Sequence, residues 1–320
     1  MNWTLVRRIV RIIGGFVGLC IFIFLVYDGL KKLMGISIPL EFSWKHVVLT
    51  LALYLLTYFF QILNFKLIYT ALHQNVSLLT TIIGYSFSFL PKYIPGYVWG
   101  YFSRSDWFKE KAEIPGSYSW QASAVEVFVT VLTSSAIWLF YYFSRTIKFF
   151  WAYLVLITPF LVIIPINKLV TLFKDYTKTG KWFKNVGIVP FSHWLILTMN
   201  SYFQWVLFGL SLWMLSRVFS QTAFVNLREF FDFIYIFARS WLSGFLAIFI
   251  PNGLGIRELV LKDLLVTGNT VSKDLSTIIA ALSRVLMLLA EFGWLAFAFI
   301  VNRNPKNRNT SKVLLNKPSN

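Results

Sequence analysis

Charge, and acidic charge above all, is what this chain has least of. Of its 320 residues 13% are charged, and only 13 are Asp or Glu. A soluble domain is nearer a quarter charged, so with 57% hydrophobic residues the composition is that of a polytopic membrane protein. The single cysteine, Cys20, excludes an internal disulfide. The three histidines, His46, His73 and His193, lie far apart, and none pairs with a carboxylate at metal-ligand spacing. There is no Asp-x-Asp and no Walker loop, so neither a metal–sugar-nucleotide site nor ATP hydrolysis within the chain is expected. No Ser, His and Asp stand in a compelling catalytic order. The sequence therefore names no catalytic residue, no metal and no cofactor. No cleavage pattern of small residues follows the first apolar stretch, which reads as a retained helix.

What is abundant is positive charge: 30 Lys and Arg, for a net +17. Its distribution argues against nucleic acid as a partner. The basic residues lie mostly in short loops and tails, where topology and anionic headgroups account for them. Membrane lipids are the expected partners. Thirteen Trp, 15 Tyr and 33 Phe suit interfacial belts as well as packing.

Eight apolar segments fall at Ile9–Tyr27, Val47–Leu63, Leu78–Phe102, Trp120–Phe143, Phe149–Ile166, Phe191–Leu215, Phe230–Ile250 and Ile278–Val301. A helix needs about 20 apolar residues to cross a bilayer. Two of the segments are broken by proline and glycine. The third carries Pro91, Pro95, Gly96 and Gly100, and its interruption is expected after Leu90. The seventh runs into Pro251, Asn252, Gly253 and Gly255. Hydrocarbon offers an unfolded backbone nothing to bond to, so such breaks survive only inside protein or beside a water-filled cavity. Paired breaks in corresponding halves point to a transporter-like site.

The Lys/Arg bias orients the chain. Arg7, Arg8 and Arg11 place the N-terminus in the cytoplasm. If all eight segments cross, the lysines of the loop Lys168–Gly187 fall outside, against the rule. If segments three and seven dip in and return, that loop, Arg104, Lys109, Lys111 and the basic tail all fall inside. Only Lys31 and Lys32 then stand against the bias. The expectation is an all-α polytopic bundle of about six full crossings and two re-entrant helical hairpins, with both termini cytoplasmic. It forms one transmembrane domain, 1–301, with a disordered basic tail, 302–320.

This arrangement implies an inverted repeat, with halves of about 1–145 and 146–301 and hairpins entering from opposite faces. Pro95 to Glu126 is 31 residues and Pro251 to Arg284 is 33. Each break thus leads into a long helix with one buried charge, opposite in sign between the halves.

Four segments carry polar stripes at helical spacing. They hold Thr50, Tyr54, Thr57, Gln61 and Asn64; Ser119, Ser123, Glu126, Thr130 and Thr133; Asn200, Gln204 and Ser211; and Ser276, Ala280, Arg284, Met287 and Glu291. Small and hydroxyl residues also serve simply to pack membrane helices. That reading serves less well for Glu126, Arg284 and Glu291, since a charge near mid-bilayer costs roughly 2.5–3.5 kcal/mol even on the lenient scale. Thr57, Gln61, Asn64, Asn200, Gln204 and Glu291 are candidate groove residues. Glu126 has Arg104 or Arg284 as partner, and Glu258 has Arg257 or Arg284; purely structural ion pairs are the alternative reading. Arg104, Arg239, Arg257 and Arg284 offer planar forks suited to phosphate. Amides freed at the breaks would help hold the anion. Lys92 either contributes or anchors the interface. Trp99 and Tyr97 line an acyl path or belong to the aromatic belt.

At these positions the sequence resembles the lysylphosphatidylglycerol synthase transmembrane family, also called flippase-like or UPF0104. The resemblance rests on Ile94-Pro95-Gly96-Tyr97-Val98-Trp99 with Arg104 and Glu126, on Ile250-Pro251-Asn252-Gly253-Leu254-Gly255-Ile256-Arg257-Glu258, and on Ala281-Leu282-Ser283-Arg284. It covers roughly Ile9 to Val301. Asn252 stands where glycine is more frequent, which bears on the flexibility of that hairpin. The resemblance implies a bacterial or archaeal multi-pass protein of the cytoplasmic membrane that flips a phospholipid or lipid-linked sugar headgroup. The residues after the eighth segment hold no synthase domain, so lysyl transfer is not implied. Two other readings stay open: a membrane-embedded transferase with Glu126 or Glu258 as base, and a non-catalytic partner of a glycosyltransferase or lipid-modifying synthase.

Overall fold

The computed structural model describes residues 31, 42–93, 99–146, 152–162, 187–219, 227–247, 251–253, 255–268 and 271–303. The first apolar segment, Pro95, Gly96, all but the last residue of the 168–187 loop and tail residues 304–320 lie outside the described residues.

All regular structure among the described residues is helical. The order is α1 (Trp44–Ala71), α2 (Leu78–Ser86), a 3₁₀ turn (Pro91–Tyr93), α3 (Trp99–Lys111), α4 (Gly116–Thr146), α5 (Ala152–Val162), α6 (Phe191–Ser216), α7 (Leu227–Leu246), a second 3₁₀ turn (Pro251–Gly253), α8 (Ile256–Thr267) and α9 (Lys273–Arg303). Four helices, α1, α4, α6 and α9, are long and apolar enough to cross a membrane. With 26 to 31 residues each, they are about 39–47 Å long at 1.5 Å per residue. They are the four helices that carry the polar stripes, and the stripes are turned inward. Thr50, Tyr54, Thr57, Ser119, Thr133, Ser211, Ser276, Arg284 and Glu291 are all buried. The outside of the same helices is apolar, with Leu56, Met199, Phe203, Phe297 and Ile300 exposed. This inside-out distribution suits a lipid solvent, which rewards no burial of apolar side chains.

Local chemistry explains the boundaries. Ser77 caps α2, its hydroxyl accepting from the Thr80 amide at 3.1 Å. Left-handed residues follow the ends of both α1 and α3, His73 and Glu113, each at φ 57°. α2 stops at Ser86, four residues before the expected break, and irregular backbone leads to Pro91. α9 continues to Arg303, two residues past the expected end at Val301 and into the start of the predicted tail.

The elements α1 to α4 and α6 to α9 follow one pattern: a long helix, a shorter limb, a 3₁₀ turn at a proline, a second limb and a long helix. Packing repeats the pattern. α1 lies against α6, and the first limb of each half packs on the last long helix of the other: α2 on α9, and α7 on α4. The two 3₁₀ turns touch each other.

Contacts also sort the helix ends. Gly187, just before α6, meets Leu72 at the end of α1 and exchanges two hydrogen bonds with Gln121 near the start of α4. The opposite ends gather elsewhere: the Ser43 amide before α1 donates to the Val218 carbonyl after α6 at 3.0 Å, and Arg145 near the end of α4 pairs with Asp232 early in α7 at 3.4 Å.

Candidate functional site

The two breaks converge on a buried cluster of ionic and tyrosine side chains. In the first half, Arg104 of α3 reaches Glu126 of α4 at 2.7 Å. Tyr85 donates to the other Glu126 oxygen at 2.5 Å, and Arg104 Nε donates to Ser88 Oγ at 3.2 Å. The guanidinium lies against two rings, 3.9 Å from the Tyr85 centroid and 4.5 Å from that of Phe65. Of the two partners open to Glu126, the fold selects Arg104.

In the second half the signs reverse. Glu258 of α8 faces Arg284 of α9 at 3.5 Å. Its Oε2 also accepts from the Gly255 amide at 2.7 Å, which fixes the start of α8. Arg257, the neighbour of Glu258, points elsewhere: Nη2 donates to Met287 Sδ at 3.1 Å and the guanidinium lies 4.7 Å from the Phe237 centroid. Each half thus pairs a charge on the helix after the break with an opposite charge on the next long helix.

A third carboxylate joins the halves. Glu291 accepts from Lys92 at 2.6 Å, Tyr58 at 2.6 Å and Tyr93 at 3.0 Å. Lys92 is therefore bound into the cluster. Neither this pair nor the role of Tyr58, Tyr85 and Tyr93 was legible in the sequence, where tyrosines merge into a large aromatic population. The one available signal was Tyr58, four residues after Tyr54 and beside Thr57 on a polar stripe.

A cavity of about 120 Å³ lies between the breaks, lined by Gln61, Tyr85, Lys92, Arg104, Glu126 and Asn252 among others. Gly100 also borders it, where a Cβ would stand 3.2 Å from Lys92 Cβ and 3.3 Å from the Ser88 carbonyl. A larger apolar cleft of about 570 Å³ opens between the first turn and α9, bordered by Phe87, Leu90, Pro91, Phe292, Leu295 and Phe299. Lys92 and Glu291 are each adjacent in sequence to a residue lining that cleft, Pro91 and Phe292.

Pro91 and Pro251 each begin a 3₁₀ turn. Asn252 adopts φ 48°, ψ 28°, a left-handed geometry that asparagine tolerates better than most residues. Asparagine at this position thus suits the backbone. Gly253, at φ 63°, leaves no room for a side chain, since a Cβ would stand 2.5–2.7 Å from the Gly244 backbone. Gly255, at φ 85°, faces open space.

The remaining predicted groove and anion residues sit differently. Asn200 donates to Asn64 Oδ1 at 2.7 Å and to the Phe60 carbonyl at 3.1 Å, and Gln204 donates to the same carbonyl at 3.3 Å. These three fasten α6 to α1. Thr57 donates to the Leu53 carbonyl of its own helix at 2.7 Å. Arg239 bonds Tyr235 of its own helix, whose ring stacks on Tyr141 at 3.6 Å, instead of joining the arginines of the cluster. Of the groove set, Gln61 and Glu291 belong to the site. Among the described residues no group of three His, Cys, Asp or Glu is placed to hold a metal.

Comparison with protein-family models finds no match to this sequence, and comparison with curated proteins finds none either.

Proposed function

We propose that this chain is a multi-pass protein of the cytoplasmic membrane that translocates a lipid headgroup, of a phospholipid or a lipid-linked sugar, through the site between its two breaks. The observation that carries this reading is the meeting of the two 3₁₀ turns at a buried cluster of arginines, lysine and carboxylates. An ionisable residue within the membrane is by default a candidate for a substrate or ion pathway. The motif resemblance to the flippase-like family supports the same reading.

In this proposal segments three and seven are re-entrant hairpins from opposite faces. The grouping of helix ends supports it: the end of α1 and the start of α4 both meet Gly187, so the chain between them leaves and returns at one end. The duplicated element order supports an inverted repeat. Headgroup phosphate would be held by arginine and shielded from hydrocarbon, with Glu126 compensating charge when the site is empty. The carboxylates that a transferase would use as base, Glu126 and Glu258, are each already held by an arginine.

The test is lipid translocation in proteoliposomes. Purified wild-type protein is expected to move labelled phospholipid or glycolipid between leaflets. Arg257→Ala and Glu126→Gln are expected to abolish this with normal expression. A wild-type protein that moves no candidate lipid sinks the reading; product formation from a lipid-linked sugar in detergent, where no compartments exist, would replace it with a transferase.

A further inference from the structure

The cluster has a surplus of one sign. It holds four cations, Lys92, Arg104, Arg257 and Arg284, against three carboxylates, Glu126, Glu258 and Glu291. Every carboxylate already faces a cation. Glu126 has Arg104 and Tyr85; Glu258 has Arg284 and the Gly255 amide; Glu291 has Lys92, Tyr58 and Tyr93.

The unmatched groups are donors. Arg284 is 4% exposed, yet its Nε and Nη2 are buried without a hydrogen-bond partner. Its 3.5 Å approach to Glu258 is an ion pair outside hydrogen-bonding geometry. Arg257 is 7% exposed, and among the described residues no carboxylate lies within ion-pair distance of it. A thioether takes one of its N–H groups, and thioether sulfur is a weak acceptor. Met287 stands three residues after Arg284 on α9, so Arg257 reaches the face of α9 that carries Arg284. Buried donors without acceptors are costly, more so when charged. An oxyanion bridging Arg257 and Arg284 removes that cost, because two guanidinium forks match phosphate geometry. A cationic headgroup meets the reverse situation: no free carboxylate, and a net positive field.

We infer that the site selects its ligand by charge, taking lipids whose phosphate carries uncompensated negative charge and rejecting headgroups that bear an ammonium group, with Arg284 and Arg257 as the phosphate ligands. This rests on the translocation reading for the word lipid, and on the geometry alone for the charge preference.

The experiment is binding in detergent, read by native mass spectrometry and by thermal stabilisation, and needs no transport. The probes are phosphatidylglycerol, phosphatidic acid, lysylphosphatidylglycerol and inorganic phosphate. Wild-type protein is expected to bind the two anionic lipids in preference to the lysylated one. Arg284→Gln is expected to weaken anionic-lipid binding by about tenfold or more, as for loss of a charged hydrogen bond. Arg284→Lys is expected to retain part of it, and exposed Lys109→Gln none of the loss. Equal wild-type affinity for phosphatidylglycerol and its lysylated form overturns the inference whether or not any variant folds, as does an anionic preference that survives in a folded Arg284→Gln protein. Stabilisation by inorganic phosphate but by no lipid overturns the lipid assignment. Translocation without charge discrimination removes this inference alone; charge-selective binding without translocation removes only the transport reading.

Discussion

Lys92 and Glu291 are 199 residues apart in sequence and 2.6 Å apart in space. Lys92 sits on the first 3₁₀ turn and Glu291 in the middle of the last long helix, so the pair clamps the first break onto the opposite half of the molecule. Tyr58 and Tyr93 complete the acceptor shell of Glu291. Such a group is held by its partners; with one removed, the other is a charge stranded among apolar helices.

Glu291→Ala is accordingly expected to cost about 3–5 kcal/mol, the range for breaking a buried pair from one side. The double substitution Lys92→Met, Glu291→Gln removes both charges while keeping an acceptor for the tyrosines. It is expected to unfold at a higher temperature than Glu291→Ala in detergent. Losses that simply add from one substitution to the next would mean the two residues do not act as a pair.

The second break depends on two glycines for different reasons. Gly255→Ala meets only the backbone penalty of a positive φ, on the order of 1–3 kcal/mol. Gly253→Ala adds a collision with the Gly244 backbone and is expected to be clearly worse. Asn252→Gly is expected to be nearly neutral, because asparagine tolerates the left-handed region that glycine enters freely. Thermal denaturation of the three variants gives the ranking, and Gly255→Ala equalling Gly253→Ala would count against the close approach.

The polar stripes separate into fasteners and site residues. Asn200→Leu removes two of the three α1–α6 amide hydrogen bonds and is expected to cost on the order of 1 kcal/mol of stability, a usual value for polar contacts between membrane helices. It should leave lipid translocation near wild type. Gln61→Leu, facing the cavity, is expected to do the opposite. Paired stability and transport measurements on these two variants separate the roles.

Orientation is open to cysteine labelling in a Cys20→Ser background. The hairpin arrangement expects Glu113→Cys to react from the cytoplasmic side and Gly268→Cys from the other. Both residues labelling from one side would remove the inverted repeat.

Much of this was legible beforehand. Membrane character follows from composition, and the inward faces of α1, α4, α6 and α9 follow from period alone, since polar residues three and four apart share a helix face. The breaks at Pro91 and Pro251 follow from the chemistry of proline. The early end of α2 at Ser86 was not legible, because Phe87 to Leu90 are as apolar as the helix before them and nothing in the sequence marks the unwinding. Arg239 shows the same limit from another side. It has the right chemistry and a neighbourhood of serines, but its helix turns it toward Tyr235 and away from the cluster.

By itself the sequence determined the solvent, the number of polar faces and which ionic residues would need partners, because these depend on residue type and on spacing along one helix. Only the tertiary structure decided the partners. Glu126 had two candidate arginines and Glu258 had two, and helix packing assigned Arg104 to one and Arg284 to the other. It also spent the third carboxylate, Glu291, on Lys92 and two tyrosines, leaving Arg257 and Arg284 with donors to spare. Long-range pairing depends on where two halves of a chain meet, and no local period carries that information.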